Sequence, residues 1–596
     1  MKLSRIYSNL PAIFPPIDFN PGLNVVLGQI REANNQNKDT HNLGKSTLTR
    51  LLDFCLLAKR SNELFLFAHM KRFQEFIFFL ELDVDGQFLT IRRSVSSPSK
   101  VAFIRHSTKG QGWVSLPKEE WGHSNVPFER AKSLLDGYLN LRALGQYFDF
   151  RKPIGYALRR QSDYDDVFQL SKFRGSHGDW KPYLAHVLGF DASLVARNYE
   201  LVQQLETQKI DMVRLQEQLP SRLSEVDKFD GLLQIRREKA EALEREILAF
   251  NFDIADKTLN KDLVEKTDRA IATLNSERYY LSVTKEKIEH ALRLDKINFD
   301  PNHADRLWKE AGLVFPGQLK KSYKDLIAFN KAIAEERAGQ LQIDLDDTEQ
   351  KLEDINQKLT AFNEQRSGQL ATLSEDDVFR KYKDVTQRLT SIKAELQIYE
   401  QNREVAVQLS NLRGKIASLQ SELLSSQAAL EQHIHSLNTP ESRYSSIRRF
   451  FAEIVRAVID KDAIITTGIN EAGNLQFRAE IVGDAGPTGE SSGHSYKKLL
   501  CIAFDLAVAR AYAKDPYPHF IYHDGALETL DDRKKRKLIE VLRTYTSEHG
   551  VQEIITVIDS DLPYENGERF EFEQSEVVRL LHDQGDDGRL FRMPLW

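Results

Sequence analysis

The first stretch that could do chemistry is "HNLGKSTL" at residues 41–48. It contains Gly-Lys-Ser, but a regular phosphate loop, G-x-x-x-x-G-K-[ST], needs a glycine where this chain has Asp39, and three matching residues alone are weak support. A phosphate loop offers consecutive backbone amides, a lysine that reaches the β and γ oxygens, and a hydroxyl for Mg²⁺. The residues that can supply these groups are Asn42, Gly44, Lys45, Ser46 and Thr47.

The flanks of this stretch have the pattern of a strand and a helix. "GLNVVLG" (22–28) is a short apolar run typical of a buried strand, and "TLTRLLDFCLLA" (47–58) has apolar residues at helical spacing. The polar segment 29–39 between them looks like an insertion, which lengthens the loop without moving the amides of residues 42–47. The sequence therefore predicts a strand, a phosphate-binding loop and a helix.

A second set of candidate residues lies near the other end of the chain. In "GPTGESSGHSYKKLLCIAFDLAVARA" (486–511), a Gly/Ser loop opens onto a helix, so that Ser492 and Gly493 can offer a hydroxyl and amides to a phosphate. An ordinary N-capped helix is the alternative. "PHFIYHDGALETLDD" (518–532) predicts a strand that ends in Asp524, a carboxylate suited to Mg²⁺.

Two further patterns predict strands in the same half. "EIITVIDSD" (553–561) reads as another buried strand with polar residues at its C-terminal end, where nucleotide-binding α/β sheets place their active groups. Residues 463–468 and 475–482 form a hairpin signal before the Gly/Ser loop, and "FIFFLELDVDGQFLTIRRSV" (76–95) forms another around Asp85-Gly86.

The middle of the chain, residues 193–438, has coiled-coil composition. Most heptad core positions from Leu201 to Phe250 are apolar, with Pro220 expected to interrupt the helix, and a second heptad run follows from Leu409 to Leu437. The Pro- and Gly-containing segment 295–320 is the natural place for the chain to reverse. We therefore expect an antiparallel hairpin on the order of 150 Å long; a compact bundle or an intermolecular coiled coil is the alternative.

This order of motifs resembles the ABC-type ATPase head of SMC-like proteins, in which a coiled coil brings the N- and C-terminal lobes together. "GHSYKKLLCIAFDLA" and "HDGALETLDD" further resemble a bacterial branch whose relatives include the SMC-like subunits of anti-phage systems such as Lamassu. The implied fold class is α/β, with a head assembled from both lobes. The implied domains are an N-terminal ATPase lobe (1–192), an outgoing arm (193–297), a hairpin tip (298–320), a returning arm (321–438) and a C-terminal ATPase lobe (439–596).

The resemblance also implies roles for individual residues toward ATP and Mg²⁺. Lys45 would contact the β and γ phosphates, while Ser46 and Asp524 would hold the metal. Gln161, in "YALRRQSDYDD", would join the metal to the second lobe, and Asp531 would end the D-loop. Ser492 and Gly493 would bind the γ-phosphate held by the opposite head.

The chain departs from the family pattern where catalysis would occur. The signature reads "SSGHS", and the glutamate expected after Asp524 to polarise the attacking water is Gly525. A glycine cannot act as a general base. Glu528 is one candidate substitute, and His523 or His494 is another. The sequence therefore predicts either slow hydrolysis or an ATP-gated switch.

Composition narrows the remaining possibilities. Of 596 residues 29% are charged, yet the net charge is only -6, so any DNA surface must be a local patch, for which Arg159 and Arg160, or the stretch "SIRRFFAEIVRAV" (446–458), are candidates. The chain has only two cysteines and no long apolar run, so we expect a cytoplasmic protein that does not enter a membrane.

Three functions are consistent with these patterns. The first is a homodimeric SMC-like ATPase that senses or clamps double-stranded DNA and controls a nuclease or other effector in a defence complex. The second is a DNA repair ATPase that acts with a nuclease. The third is a structural scaffold that binds ATP without hydrolysing it, which Gly525 favours.

Overall fold

The computed structural model describes residues 1–31, 43–145, 148–173, 175, 177–219, 225–249, 257–297, 317–371, 377–470, 473–483, 486–487, 493–565, 567–594 and 596. The chain divides into two compact units. The head unit consists of residues 1–204 with 419–596, and the arm unit consists of residues 205–418. No helix in these described ranges is long and apolar enough to cross a lipid bilayer.

The strands and helices are numbered in chain order. The strands are β1 (Lys2–Ser8), β2 (Ile17–Asp18), β3 (Leu23–Gln29), β4 (Ile77–Val84), β5 (Gln87–Ser94), β6 (Lys100–His106), β7 (His123–Pro127), β8 (Leu158–Arg159), β9 (Asp462–Ile469), β10 (Leu475–Gly483), β11 (Gly486–Pro487), β12 (Phe520–His523), β13 (Gln552–Ile558), β14 (Tyr564–Glu565), β15 (Glu568–Arg569) and β16 (Val577–His582). The helices are α1 (Lys45–Cys55), α2 (Phe65–Ala68), α3 (Met70–Phe73), α4 (Phe128–Leu139), α5 (Arg151–Ala157), α6 (His177–Val187), α7 (Ala192–Gln218), α8 (Val226–Ala249), α9 (Lys257–Ile297), α10 (Gly317–Ala371), α11 (Asp377–Ser436), α12 (Arg443–Ile459), α13 (His494–Ala511) and α14 (Asp532–His549).

A five-stranded sheet forms the centre of the head unit. Its order is β16-β3-β13-β12-β8, and every neighbouring pair runs parallel. The predicted strands before the Gly-Lys-Ser motif, before Asp524 and at residues 553–558 are confirmed as β3, β12 and β13. Because parallel strands end at one edge of a sheet, the segments that follow β3, β8, β12 and β13 converge there.

The two faces of β12 pack against different helices. The Tyr522 hydroxyl donates to the Lys45 carbonyl at the start of α1, whereas the His523 ring contacts Asp505 on α13. Successive strand side chains point to opposite faces, which places these helices on opposite sides of the sheet. Residues 498–509 of α13 are all buried, as expected for a helix that is apolar around most of its surface.

Antiparallel sheets flank this core. The larger has the order β2-β1-β4-β5-β6-β7 and confirms the predicted hairpin, because β4 and β5 pair across Asp85 and Gly86, which both have positive φ. The second predicted hairpin is confirmed as β9 and β10, joined by β11 in a three-stranded sheet.

The arm unit contains antiparallel helix pairs. Ion pairs join α8 to α11 (Lys393–Glu244, 2.7 Å) and α9 to α10 (Arg366–Asp268 and Lys285–Glu349, each 2.7 Å). In each pair of helices the residue number rises on one helix as it falls on the other. Pro220 and residues 298–316 of the predicted tip lie outside the described residues.

Within its described part, the arm unit has antiparallel helix pairs but is folded back on itself. The ion pairs between α9 and α10 align Ser276 with the part of α10 near Lys358. The Ser276 hydroxyl nevertheless bonds the side chain of Gln397, on α11, at 3.1 Å. One groove is lined by residues of four helices, among them Gln218, Tyr280 and Lys358. The α9–α10 pair therefore packs alongside α7 and α11.

Candidate functional site

The candidate phosphate loop, residues 43–47, begins α1 in a conformation that requires glycine. Gly44 has φ +97°, and a Cβ at this position would lie 2.7 Å from the Cβ of Leu590. The Leu590 amide donates to the carbonyl of Leu43 at 3.0 Å. A segment near residue 590 therefore packs directly on this loop, while Asn42 lies outside the described residues.

Lys45 is buried beside three carboxylates. It is 5% exposed, and its stem lies close to the backbone of β3, where a Cβ at Gly28 would be 3.7 Å from the Lys45 Cδ. Burial lowers the pKa of Lys45, whereas Glu528, Asp524 and Asp561 oppose this shift. These charges place the ammonium group near the residues that follow β12 and β13.

Asp524 follows β12 and retains an unpartnered oxygen. Thr556 donates to its Oδ1 at 2.7 Å, but Oδ2 has no hydrogen-bond partner among the described residues, although Asp524 is only 1% exposed. Burial raises the pKa of Asp524, and hydrogen bonding from Ser46 and Thr556 opposes this shift. A buried carboxylate oxygen without a partner suits a divalent cation, for which Ser46 can supply a second oxygen.

Glu528 fills the space that a side chain at position 525 would need. Gly525 has φ +68°, and a Cβ there would lie 2.7 Å from both Cδ and Oε1 of Glu528. The Gly525 amide donates to the Thr556 hydroxyl at 2.7 Å, which fixes this turn to β13. The carboxylate of Glu528, three residues later in the chain, therefore lies where a side chain at position 525 would begin.

Two donors hold the carboxylate of Glu528. The Gln161 amide, in the 3-10 turn Gln161–Asp163 after β8, donates to Oε1 at 2.8 Å and to Oε2 at 3.1 Å. Lys498 on α13 lies 3.4 Å from Oε2 and donates to the Gly525 carbonyl at 2.9 Å. Lys498 is not among the residues predicted from the sequence, although a lysine on the same helical stripe as Asp505 in a largely apolar helix was a usable signal.

His523 lies on the opposite face of β12 from this cluster, so its prediction as a general base is wrong. It is fully buried, with Nδ1 2.6 Å from Glu553 and Nε2 3.2 Å from Asp505. Burial lowers its pKa, but the two carboxylates outweigh burial and raise the pKa to about 9. Both ring nitrogens are therefore engaged away from the candidate phosphate loop.

Arg159 belongs to the same buried network, which corrects its prediction as a DNA contact. Its guanidinium makes a bidentate pair with Asp505, at 2.6 and 2.9 Å, and is fully buried. Arg160 pairs with Asp53 at 2.8 Å and remains partly exposed. A buried, doubly paired guanidinium cannot reach a phosphate backbone.

The segment after Glu528 is tied to α13. Ser495 donates its hydroxyl to the carbonyl of Thr529 at 2.8 Å, and Thr529 has φ +70°, which is strained for a β-branched residue. Asp531 is the N-cap of α14, where its carboxylate accepts from the Lys534 amide at 3.0 Å. Gly493 is the N-cap of α13, while Ser492 lies outside the described residues.

The structure thus brings together six groups at one edge of the parallel sheet: Lys45, Ser46, Asp524, Gln161, Glu528 and Lys498. Two cations, the first-turn amides of α1 and a carboxylate oxygen that has no partner among the described residues can bind a polyphosphate with a divalent cation. A second carboxylate, held by two donors, can accept a proton beside such a ligand. His523 and Arg159 are not part of this group.

Comparison with protein families gives one match. A family model described as "Uncharacterised protein conserved in bacteria (DUF2326)" matches residues 454–595. That range contains α13, β12 and the turn with Gly525 and Glu528. No curated protein matches this chain.

Solved structures that align with nearly the whole chain include two Smc head domains. The Smc head domain with a coiled coil and joint from Pyrococcus yayanosii is 12% identical, with 96% of this chain and 98% of that chain covered, at a TM-score of 0.34. The Smc head domain with an extended coiled coil bound to the C-terminal domain of ScpA, from Pyrococcus furiosus, is 11% identical, with 95% of each chain covered, at a TM-score of 0.33. These scores are too low to carry the function, which must be judged from the site.

Proposed function

We propose that this chain binds and hydrolyses ATP in its head unit. The observation that carries the proposal is the meeting of Lys45 from the start of the chain with Asp524 and Glu528 from its end, at the C-terminal edge of one parallel sheet. A lysine at a helix N-terminus and a carboxylate after the neighbouring strands are the groups that phosphoryl transfer requires.

Each group has a distinct task in this proposal. Lys45 binds the β and γ phosphates, while Ser46 and the unpartnered Oδ2 of Asp524 hold Mg²⁺, with Gln161 offering its carbonyl oxygen. When bound, the ion neutralises charge on the phosphates. The amide nitrogen of Gln161 already donates to Glu528, and this leaves the amide oxygen for another partner.

Glu528 acts as the general base in place of a residue at position 525. Water attacks the γ-phosphorus as the bond to the β–γ bridging oxygen breaks, and Glu528 accepts a proton from that water. The products are ADP and inorganic phosphate. The Glu528 carboxylate lies 2.7 Å from the position that a Cβ at residue 525 would occupy. The base therefore comes from the same turn in which the resemblance expects a glutamate. The scaffold alternative rested on the absence of this base.

The wider role is proposed from the resemblance described above. Two heads would dimerise on ATP, with Ser492 and Gly493 of one head on the γ-phosphate of the other and Asp531 nearby. The dimer would sense or clamp double-stranded DNA and control a nuclease or other effector in an anti-phage complex. A DNA repair ATPase with a nuclease partner is the alternative, and the genes beside this one would distinguish the two roles.

ATP binding and turnover by the purified chain test the core of the proposal. Wild type should hydrolyse ATP with Mg²⁺, and Lys45→Ala should lose both tight binding and turnover, while the control Lys497→Ala, on the first turns of α13, should retain both. Measurements with and without double-stranded DNA test the clamp. Binding without turnover that depends on Lys45 would favour the scaffold, and no binding at all would refute a nucleotide site.

A further inference from the structure

Lys498 is a second buried lysine at the candidate site. It is 2% exposed, and its ammonium group lies between the Gly525 carbonyl at 2.9 Å and Glu528 Oε2 at 3.4 Å. Burial lowers the pKa of Lys498, while Glu528, Asp561 and Asp524 oppose that shift. A buried ammonium is costly unless it is paired, so its position calls for an explanation.

Its two contacts lie on the same turn. The Gly525 carbonyl begins the turn, and the Glu528 side chain returns to the space above Gly525, so one ammonium group connects both ends. Without such a clamp, a side chain that is 24% exposed would be able to rotate into solvent. The remaining donor, Gln161, is exposed and belongs to a short 3-10 turn, whereas Lys498 comes from the buried helix α13.

We propose that Lys498 is a positioning residue, which fixes the carboxylate of Glu528 above Gly525 for proton abstraction. This inference rests on the proposed ATPase function. Lys498 lies 3.4 Å from this carboxylate, and a carboxylate held in one orientation accepts a proton more effectively than a mobile one. Lys498 therefore acts through Glu528 and leaves the phosphates to Lys45.

The same contacts connect Glu528 to the first turns of α13. Lys498 lies five residues after Gly493, about 7.5 Å along the helix, and Ser495 on the intervening turn holds the Thr529 carbonyl. The turn from 525 to 529 is thus attached to α13 at two points. A displacement of α13 on contact with a second nucleotide-bound head would move the base of its own head.

The test is a double-mutant cycle of Lys498→Met and Glu528→Gln, with Lys497→Met as the matched control. We expect Lys498→Met to lower kcat by 10- to 100-fold, with ATP affinity within about threefold of wild type. In the Glu528→Gln background, Lys498→Met should cause no further loss.

Two results would overturn this role. If the kcat losses of Lys498→Met and Glu528→Gln multiply in the double variant, or if Lys498→Met lowers ATP affinity, Lys498 contacts the nucleotide directly. Unchanged kcat in Lys498→Met would mean that Glu528 does not depend on it. Lys498→Gln, which keeps a donor to Gly525 without the charge, provides a second variant if the methionine protein does not fold, and it should likewise lower kcat with ATP affinity retained.

A readout without turnover separates this inference from the proposed function. The melting temperatures of the four proteins in the cycle, without nucleotide, should be non-additive by about 2–4 °C if Lys498 and Glu528 interact. Additive shifts would overturn the inference even in an active enzyme. Non-additive shifts in a protein that binds ATP without Lys45-dependent turnover would refute the proposed function and, with it, a catalytic purpose for the contact.

Discussion

Two clusters of charged residues lie around β12, one on its α13 face and one at its C-terminal end, and they differ in how their charges are matched. On the α13 face, Glu553, His523, Asp505 and Arg159 alternate in sign, are all buried, and each lies within 3.2 Å of a partner of opposite charge. At the C-terminal end, Lys45 from α1 and Lys498 from α13 lie among three carboxylates. Among the described residues, Glu553 Oε2 and Asp524 Oδ2 both lack a hydrogen-bond partner, so the difference lies in the ion pairs.

The difference separates a structural network from a site prepared for a ligand. A paired and buried network loses stability when one member is removed, because the remaining charge cannot be solvated. Charged residues that lie close together without complete ion pairing gain favourable contacts when a ligand binds. Replacing one of them should therefore lower activity more than it lowers the free energy of unfolding. Consecutive residues, His523 and Asp524, fall on either side of this division because strand side chains alternate.

The largest effect should come from Glu528→Gln. If the cluster at the C-terminal end of β12 serves catalysis, the turnover of Glu528→Gln should fall by about 10²- to 10⁴-fold, the usual contribution of a general base. Stability should change by less than about 1 kcal/mol, because the carboxylate is partly exposed and the amide can still bond. Steady-state turnover and urea unfolding measure these quantities, with the exposed Glu540→Gln as the control. Full activity in Glu528→Gln would place the base elsewhere.

Arg159→Met tests the cluster on the α13 face of β12, where we expect a loss of stability. It leaves the buried Asp505 with His523 as its remaining charged neighbour, and we expect the head to lose about 3–5 kcal/mol of unfolding free energy. Arg160→Met, which breaks the partly exposed pair with Asp53, is the control and should cost at most about 1 kcal/mol. Equal costs for the two variants would remove the distinction between a closed network and an exposed pair.

The pH dependence of stability should reveal His523. Its folded pKa, about 9, lies above its ordinary value, so its contribution is fully present below about pH 6.5 and is lost as the pH rises through 9. By linkage the change is up to about 3 kcal/mol. Chemical unfolding at pH 6 and pH 9.5 should show a steeper loss for wild type than for His523→Gln. The exposed His123→Gln should behave as wild type, and parallel slopes in all three proteins would contradict the network.

Gly525→Ala should lower turnover less than Glu528→Gln does. The substitution forces alanine into positive φ, at a cost of about 1 kcal/mol, and its Cβ would displace the Glu528 carboxylate. Gly550→Ala is a close control, because Gly550 has φ +65° with nothing near its added Cβ. Both variants should lose similar stability, but only Gly525→Ala should lose turnover, by at least about tenfold. Retained turnover would mean that the carboxylate does not act from this position.

The sequence allowed the sheet and part of the site to be predicted, for identifiable reasons. The strands β3, β12 and β13 are short apolar runs, and the groups after them follow from the rule that parallel strands end at one edge. Glu528 was predicted because a missing base directs attention to nearby carboxylates. His523 could have been excluded, since it precedes Asp524 by one residue and must face the other side of the strand.

Other features depend on tertiary contacts that no local pattern encodes. Lys497 and Lys498 are adjacent and chemically alike, and only the packing of α13 decides which of them is buried. Arg159 looks like a surface charge until Asp505, more than 300 residues away, is placed beside it. The contact between Ser276 and Gln397 arises from the packing of separate helix pairs, which heptad periodicity does not report.

The sheet order has a consequence for how this chain is made. β3, which precedes the candidate phosphate loop, lies between β13 and β16, and both neighbours come after residue 551. At about 5–20 residues per second, a ribosome needs roughly half a minute to two minutes between β3 and β13. During that interval β3 has two open edges, which are sites for mispairing unless a chaperone or the early antiparallel sheet protects them. Truncated products that stop before residue 552 would keep both edges open and should be prone to aggregate.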